Sequence, residues 1–290
     1  MSLPSPMAGI PRIAHFVFGL RPQRLTFHPL HYAAIESCRQ VVRPEKIVLH
    51  YHSLPFGALW EEIRPHLELV RVERPVEIDR ARYDDRLVPE AYRYAHQADF
   101  VRLDALIEHG GLYADIDTIF LRPPPEHLWE ESFVIGREPP VVDEHTGNVK
   151  PSLCNALLMA EPGSLFARTW RERMEGALDG SWSNHSGFLA QQLSEELPDE
   201  IHVEPEATFF PVRSTPEGIA RLFAEEPLDT GEASSLHLWQ HMWWEEDRVD
   251  FSTHHAEELT VTRIHRSSSG LARLLQPLVP TPHELAAGPR

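Results

Sequence analysis

The chain has 290 residues, of which 42% are hydrophobic, so it can fill the core of one large α/β domain or two small ones. Its 27 Lys and Arg residues face 44 Asp and Glu residues, and the formal net charge of −17 argues against nucleic acid or an anionic membrane surface as a partner. Lysine occurs only at Lys46 and Lys150, which limits any mechanism that needs a catalytic lysine.

The cysteines and the first residues of the chain bear on disulfide bonds, metal sites and membrane insertion. Cys38 and Cys154 form no CxxC pair, which argues against a disulfide framework or a thiolate zinc site and predicts buried free thiols. Residues 1–9 show no basic segment followed by an apolar stretch, and no run of about 18 apolar residues occurs. We therefore expect a cytoplasmic protein without a transmembrane segment, for which peripheral contact with a membrane-bound acceptor stays open.

Strand and helix patterns alternate along the chain. The predicted strands cover residues 10–18, 46–51, 67–72, 133–136 and 155–160. The predicted helices cover residues 30–42, 89–110, 165–178 and 188–197, and residues 75–89 and 143–150 are predicted loops. Because this alternation is typical of βαβ units, it predicts an α/β fold.

Two aspartates one residue apart, Asp115 and Asp117, follow the double glycine Gly110-Gly111 and interrupt an apolar run. If the run continues as a strand, both carboxylates lie on one face of it. Carboxylates on one face repel, and a hard divalent cation with oxygen ligands would relieve that repulsion. A solvated strand end explains the two aspartates equally well when they are taken alone.

Asp99 and Arg102 lie three residues apart on the helix that precedes this strand, so their side chains are neighbours. A surface salt bridge, worth about 0.3 to 0.5 kcal/mol, is one interpretation. The other is that both point into a pocket above Asp115, where Asp99 accepts hydrogen bonds from hydroxyls and Arg102 donates to oxygens. Sugar hydroxyls suit such a mixed pair.

The run of residues 98–102 followed by 109–117 resembles the DxD region of family 32 glycosyltransferases. These enzymes are related to capsular-polysaccharide, mannosyl- and galactosyltransferases and, more distantly, to glucosylating toxins. The resemblance extends to residues 10–19, 155–156, 161–164, 209–212 and 236–243. It implies a single GT-A type domain over residues 1–290, with a Rossmann-like, mixed, mostly parallel sheet flanked by helices. The nucleotide-sugar half would cover about residues 10–160 and the acceptor half about residues 161–280.

The resemblance implies roles for the residues of the aspartate motif and the preceding helix. Asp117 is expected to bind Mn²⁺ or Mg²⁺ directly. Asp115 is expected to bind the metal through water or to accept hydrogen bonds from ribose and sugar hydroxyls. Arg102 is expected to act with them in catalysis, and Asp99 to contact the substrate.

The other expected site residues lie near the two ends of the chain and after the aspartate motif. Phe18 is a candidate for stacking on the base, and a core aromatic explains it equally well. Asn155 is a candidate sugar contact, with a strand-end asparagine as the alternative. His237 is expected to bind metal or phosphate, and Trp243 to donate its indole N–H to a phosphate oxygen. Met242 departs from the family, in which serine is common at this position.

The function implied by the resemblance is metal-dependent transfer of a sugar from a UDP- or GDP-sugar to a glycan, lipid or protein acceptor, with retention of anomeric configuration. Two other interpretations stay open: a non-catalytic carbohydrate- or metal-binding domain, and a phosphatase of the haloacid-dehalogenase type acting with Lys150. Apart from the resemblance, His237 and His241 favour a surface histidine pair over a zinc site, because no HExxH motif or third ligand accompanies them.

Overall fold

The computed structural model describes residues 9–81, 93–243 and 259–287. The chain divides into two compact units, each assembled from segments that are distant in sequence. Unit 1 comprises Met1–His15, Glu73–Ala114 and Pro124–Glu204, and unit 2 comprises Phe16–Val72, Asp115–Pro123 and Pro205–Arg290. The single domain with halves meeting near residue 160 stays a prediction.

The described part of the chain contains the following strands and helices. The strands are β1 (Ile13–Val17), β2 (Lys46–Tyr51), β3 (Leu67–Arg71), β4 (Gly111–Ala114), β5 (Thr118–Phe120), β6 (Phe133–Arg137), β7 (Val141–Val142), β8 (Val149–Lys150), β9 (Leu153–Ala160), β10 (His202–Glu204) and β11 (Ser235–His237). The helices are α1 (Pro29–Ser37), α2 (Ala58–Ile63), α3 (Val76–Arg80), α4 (Arg93–His109), α5 (Leu165–Ala177), α6 (Leu189–Glu196), α7 (Glu206–Phe209), α8 (Pro216–Phe223), α9 (Val261–Arg266), α10 (Gly270–Leu275) and α11 (Pro282–Ala286).

Residues 13–15 of strand β1 belong to unit 1 and residues 16–17 belong to unit 2. In unit 1 the strand order is β10-β6-β9-β4-β1, in which β10 is parallel to β6, β4 is parallel to β1, and β9 is antiparallel to both of its neighbours. In unit 2 the order is β1-β2-β3, with β2 and β3 parallel. The predicted α/β class with a mixed, mostly parallel sheet and flanking helices is thereby confirmed.

The predicted elements are present with shifted ends, and three differ in kind. The helix predicted over residues 30–42 is regular only as α1 and continues as a wider π-helical turn, Cys38–Val42. The loop predicted over residues 75–89 contains α3, whose first turn carries acidic side chains that favour a helix start. Around the loop predicted over residues 143–150, β7 and β8 form a hairpin. The predicted helix start at residue 89 lies outside the described residues.

The turn from α4 into β4 depends on glycine. Gly110 has a φ of +64° and Gly111 a φ of +110°, in the left-handed region that side chains rarely adopt. A Cβ atom at Gly111 would lie 2.5 Å from the carbonyl oxygen of Ile13, which β1 places beside it. The double glycine thus allows β4 to pair closely with β1 and fixes where the aspartate motif begins.

Both cysteines are buried and free, as the sequence predicts. Within residues 9–81, 93–243 and 259–287, no helix combines the length and the apolar character needed to cross a membrane.

Candidate active site

Asp115 and Asp117 lie in a turn and not on a strand. Strand β4 ends at Ala114, and the backbone N–H of Thr118 donates to the carbonyl oxygen of Asp115 at 2.9 Å. The prediction that both carboxylates lie on one face of a continuous strand is therefore wrong, because the turn interrupts the alternation of side chains that a strand requires.

The two carboxylates meet at one imidazole. His237 ends β11, which pairs antiparallel with β5 so that His237 lies opposite Thr118. The Nε2 atom of His237 is 3.1 Å from Oδ1 of Asp117 and 3.8 Å from Oδ2 of Asp115. The side chain of Asp115 is 24% exposed, whereas those of Asp117 and His237 are buried. The interpretation of His237 as a surface histidine is thus wrong, because strand pairing buries it against the motif.

Asp117 is held as an anion by several donors. Trp239 has a φ of +52°, and this left-handed residue turns the chain after β11 so that the backbone N–H of Gln240 donates to Oδ2 of Asp117 at 2.8 Å. Burial alone would raise the pKa of Asp117, but the charge and hydrogen bond of His237, together with the Gln240 N–H, lower it to about 2. An ionised, fixed carboxylate of this kind suits a cation.

A neutral histidine supports the same segment. Nε2 of His31 donates to Oε1 of Gln240 at 3.2 Å, and the ring of Phe18 lies 4.8 Å from that of His31. Phe18 is half-buried, and its ring also contacts the ring of Phe27 edge to face. These contacts fit a core aromatic, and the part that is exposed could still stack on a base, so stacking stays a prediction. No sequence motif marks His31, whereas Gln240 lies inside the segment that the family resemblance covers.

The titration of His31 predicts acid sensitivity. Burial, the largest cause, lowers the pKa of His31 from 6.5 to about 4, although the Gln240 hydrogen bond and the charge of Asp117 raise it. Because the pKa of His31 is lower in the folded than in the unfolded chain, protonation of His31 favours the unfolded chain. The contribution of neutral His31 to stability is therefore complete above pH 6.5 and is lost as the pH falls towards 4, by about 1.4 kcal/mol per pH unit. Urea unfolding at about pH 7 and pH 5 should therefore show a flatter pH dependence for His31→Gln than for the wild type. An equal change of unfolding free energy with pH in both proteins would contradict the lowered pKa of His31.

Trp243 is packed away from solvent. Its side chain is fully buried against Phe223, and its indole N–H donates to the carbonyl oxygen of Leu238 at 2.6 Å. A contact from this N–H to phosphate would require the Leu238 hydrogen bond to break. In the structure Trp243 braces the chain after β11, and its expected contact with phosphate stays a prediction.

Asp99 and Arg102 form a buried ion pair within unit 1. Nη2 of Arg102 lies 2.9 Å from Oδ1 of Asp99, and their side chains are 5% and 9% exposed, respectively. The surface salt bridge is therefore the wrong interpretation of this pair. Asn155 and His185 also donate to the Asp99 carboxylate, each at 2.8 Å. With three protein donors around it, Asp99 has little capacity left for sugar hydroxyls.

Arg102 connects this group to the neighbouring strands. Its Nη1 donates to the carbonyl oxygen of Asn155 at 2.6 Å, and its guanidinium lies 4.6 Å from the ring centre of Tyr113. Burial would raise the pKa of Asp99, but the charge of Arg102 and the hydrogen bond from His185 hold it below its usual value. His185, which no sequence signal marks, completes this network.

The described chain thus gathers the predicted residues into two groups. Asp115, Asp117 and His237 meet in unit 2, and Asp99, Arg102 and Asn155 meet in unit 1. The first group offers metal ligands, and the second is a paired polar network.

Comparison with known proteins finds a family match over part of the chain. Residues 33–134 match the family model described as a glycosyltransferase sugar-binding region containing a DXD motif. This part of the chain is similar to the DXD-containing glycosyltransferases. Glucan organizing enzyme 1 of Cryptococcus neoformans var. grubii is 33% identical over 208 residues, or 69% of this chain and 54% of that protein. The chain therefore spans about half the length of this curated relative.

Solved glycosyltransferase structures resemble the chain at low identity. An active-site mutant of LgtC is 14% identical with a TM-score of 0.49, covering 94% of this chain and 99% of that one. The galactosyltransferase LgtC with donor and acceptor sugar analogues is 13% identical with a TM-score of 0.45, covering 95% and 99%. Similarities of this size do not transfer residue roles, so the roles of the residues are argued from the contacts within this chain.

Proposed function

We propose that this chain is a GT-A type glycosyltransferase that moves a sugar from a nucleoside-diphosphate sugar to an acceptor hydroxyl, with a divalent cation held by Asp117, Asp115 and His237. One observation carries the proposal: the ligand atoms of these three residues lie within 4.8 Å of one another. Both aspartates fall inside the residues that match the DXD family model.

The donor set fits a divalent cation. Carboxylate oxygens suit both Mg²⁺ and Mn²⁺, and the imidazole favours Mn²⁺ because Mg²⁺ is bound mainly through oxygen. Nε2 of His237 carries the proton that it donates to Asp117, so cation binding at this atom would release that proton. When bound, the cation would supply positive charge beside the leaving diphosphate, in a chain whose formal net charge is −17.

The chain's own residues prepare this site. Gln240 fixes the orientation of the Asp117 carboxylate, and His31 in turn orients the Gln240 side chain. Asp115 is the more exposed carboxylate, so we assign to it the contact with a donor hydroxyl or a metal-bound water. We assign Asp99 to holding Arg102 and Asn155 in place, since its oxygens already accept from protein donors. Sugar contacts of Arg102 and Asn155 stay predictions.

Retention of the donor's anomeric configuration follows from the family resemblance and is part of the proposal. A two-step mechanism would need an acidic residue as nucleophile on the far side of the sugar, and we assign this role to no acidic residue of the described chain. A reaction on the front face of the sugar is therefore the preferred hypothesis. NMR of the product linkage tests it, and an inverted anomer would contradict retention.

The acceptor class can be narrowed. The name of the fungal relative refers to glucan, which supports a glycan acceptor over a lipid or a protein.

The phosphatase interpretation loses support because Lys150, on which it relied, forms an ion pair with Asp143 in the β7–β8 hairpin.

A thermal-shift screen of UDP- and GDP-sugars, with and without Mn²⁺, tests the proposal. A ligand at a hundred times its dissociation constant adds about 2.7 kcal/mol to the stability of the native state. We expect a Mn²⁺-dependent shift with one nucleotide class, followed by transfer to a glycan acceptor in mass spectrometry. Binding of free sugars without transfer would favour the carbohydrate-binding alternative, and no nucleotide-dependent shift would contradict the donor assignment.

His237→Ala should weaken Mn²⁺ binding about tenfold or more, because it removes one of the three ligands and the partner that holds Asp117. Isothermal titration calorimetry with Mn²⁺ measures the effect. His66→Ala is the control, since this exposed histidine of unit 2 lies outside the ligand set. Equal Mn²⁺ affinities for the wild type and His237→Ala would remove His237 from the site.

A further inference from the structure

A second group of metal-binding side chains lies within unit 1. One atom each of His127, His202 and Glu204 can be chosen so that all lie within 4.8 Å of one another. None of these residues belongs to the family-matched aspartate motif or to the network around Asp99. The group therefore has no part in the proposed transfer.

Neighbouring elements hold the three side chains together. Residues 202 and 204 lie two apart on strand β10, so His202 and Glu204 share a face, and Nε2 of His202 is 2.7 Å from Oε1 of Glu204. His127 belongs to the 3₁₀ turn Glu126–Glu130 that precedes β6, and its Nε2 is 3.9 Å from the same oxygen. Strand β6 pairs in parallel with β10, and the hydroxyl of Ser132 donates to the carbonyl oxygen of Glu200 at 3.0 Å.

The spacing suits a tetrahedral ion. Ligand bonds of about 2.0 to 2.1 Å place tetrahedral ligand atoms about 3.3 Å apart. The two distances to Oε1 of Glu204, 2.7 Å from His202 and 3.9 Å from His127, bracket that separation. The side chain of Glu204 is only 9% exposed, whereas that of His127 is 61% exposed. The carboxylate is thus directed at the two imidazoles, and solvent reaches the group from the side of His127.

The other nitrogen of His202 faces a second carboxylate. Nδ1 of His202 lies 3.6 Å from Oε1 of Glu131. Histidines that bind metals commonly direct their remaining ring N–H at a carboxylate, which fixes the tautomer and makes the ligating nitrogen more basic. Glu131 is placed to keep the proton on Nδ1 and to leave Nε2 for a cation.

We propose that His127, His202 and Glu204 bind one Zn²⁺ per chain, with water as the fourth ligand and Glu131 orienting His202. Two imidazoles and one carboxylate form a donor set that zinc accepts and that Mg²⁺ does not prefer. The ion would replace the proton between His202 and Glu204. It would join the turn before β6 to the edge strand β10 and thereby stabilise the sheet of unit 1.

Zinc titration by isothermal calorimetry tests the site, in an Asp117→Asn background that weakens the aspartate motif as a competing binder. We expect saturable binding of one Zn²⁺ that His127→Ala or His202→Ala weakens at least tenfold. Glu131→Gln should weaken it about tenfold, as for partners that orient a ligand. His66→Ala, which removes an exposed histidine of unit 2, should bind zinc like the background.

Thermal shift supplies an independent readout. Zinc should raise the melting temperature of the Asp117→Asn protein and of His66→Ala in that background, but not of His127→Ala, because only an intact site stabilises the native state. Circular dichroism without zinc checks that the variants fold. We expect His127→Ala to fold because the side chain of His127 is largely exposed. No saturable zinc binding by the background protein, or equal binding by the background and His127→Ala, would overturn the proposal.

Discussion

Replacing Asp117 by Asn is expected to reduce metal-dependent sugar transfer on the order of a hundredfold or more while leaving the fold intact. The substitution removes the charge of a buried ligand, and cation stabilisation of a leaving group is worth several kcal/mol, at about 1.4 kcal/mol for each tenfold in rate. The Asn oxygen can still accept from the Gln240 N–H, so the chain after β11 keeps its position. Transfer rates across a Mn²⁺ titration measure the effect.

Asp199→Asn is the matched control for this substitution. Asp199 is exposed in the 3₁₀ turn Pro198–Glu200, and the same chemical change there should leave transfer unchanged. Circular dichroism and urea unfolding of both variants separate a loss of chemistry from a loss of fold. Near-normal transfer by Asp117→Asn would show that the ligand assignment is wrong.

Arg102→Ala is expected to lower the free energy of unfolding by about 3 to 5 kcal/mol, because it leaves the buried carboxylate of Asp99 without its charged partner. The variant also loses the hydrogen bond to the Asn155 carbonyl and the stacking on Tyr113. Urea denaturation measures the change. Arg171→Ala is the comparison within unit 1: this arginine is 26% exposed in its pairs with Asp104 and Glu77, so its removal should cost about 1 kcal/mol.

A second substitution tests the cause of this loss. Asp99→Asn combined with Arg102→Ala should recover part of the lost stability, because the uncompensated buried charge is gone. Strictly additive effects would contradict the buried ion pair as the source. Transfer assays on Arg102→Ala, under conditions in which the variant is still folded, test the expected role of Arg102 in binding the donor. Lower stability with unchanged turnover would leave Arg102 as a support of the fold alone.

Local patterns predicted much of the fold. The alternation of strand-like and helix-like segments corresponds to β1, β2, β3, β6 and β9 and to the helices between them, because side-chain periodicity is set by neighbours in sequence. The double glycine marked the turn before the aspartate motif correctly, since only glycine adopts the backbone that β4 needs beside β1. The same local reasoning extended that strand too far, through Asp115 and Asp117, because a short turn between two apolar strands leaves the apolar pattern unbroken.

The candidate site depended on longer-range information. Neighbours in sequence do not indicate that His237, 120 residues after Asp117, pairs through β11 with the strand that follows the motif. His185 lies 86 residues from Asp99 and carries no motif, and burial alone decides that Asp99 and Arg102 are a core pair and not a surface pair. Tertiary packing likewise decides that the indole N–H of Trp243 donates to the carbonyl oxygen of Leu238.

The sequence by itself determined the α/β class, the aspartate motif and the family resemblance, because these follow from periodicity and from residue identity at short spacings. Tertiary structure alone decided which carboxylates meet which imidazoles. Those meetings depend on strand pairing and burial between segments far apart in the chain, and they set the charge state, the available lone pairs and the exposure on which metal binding depends. The two carboxylates of the aspartate motif thus meet the imidazole of His237 only when β11 lies beside β5.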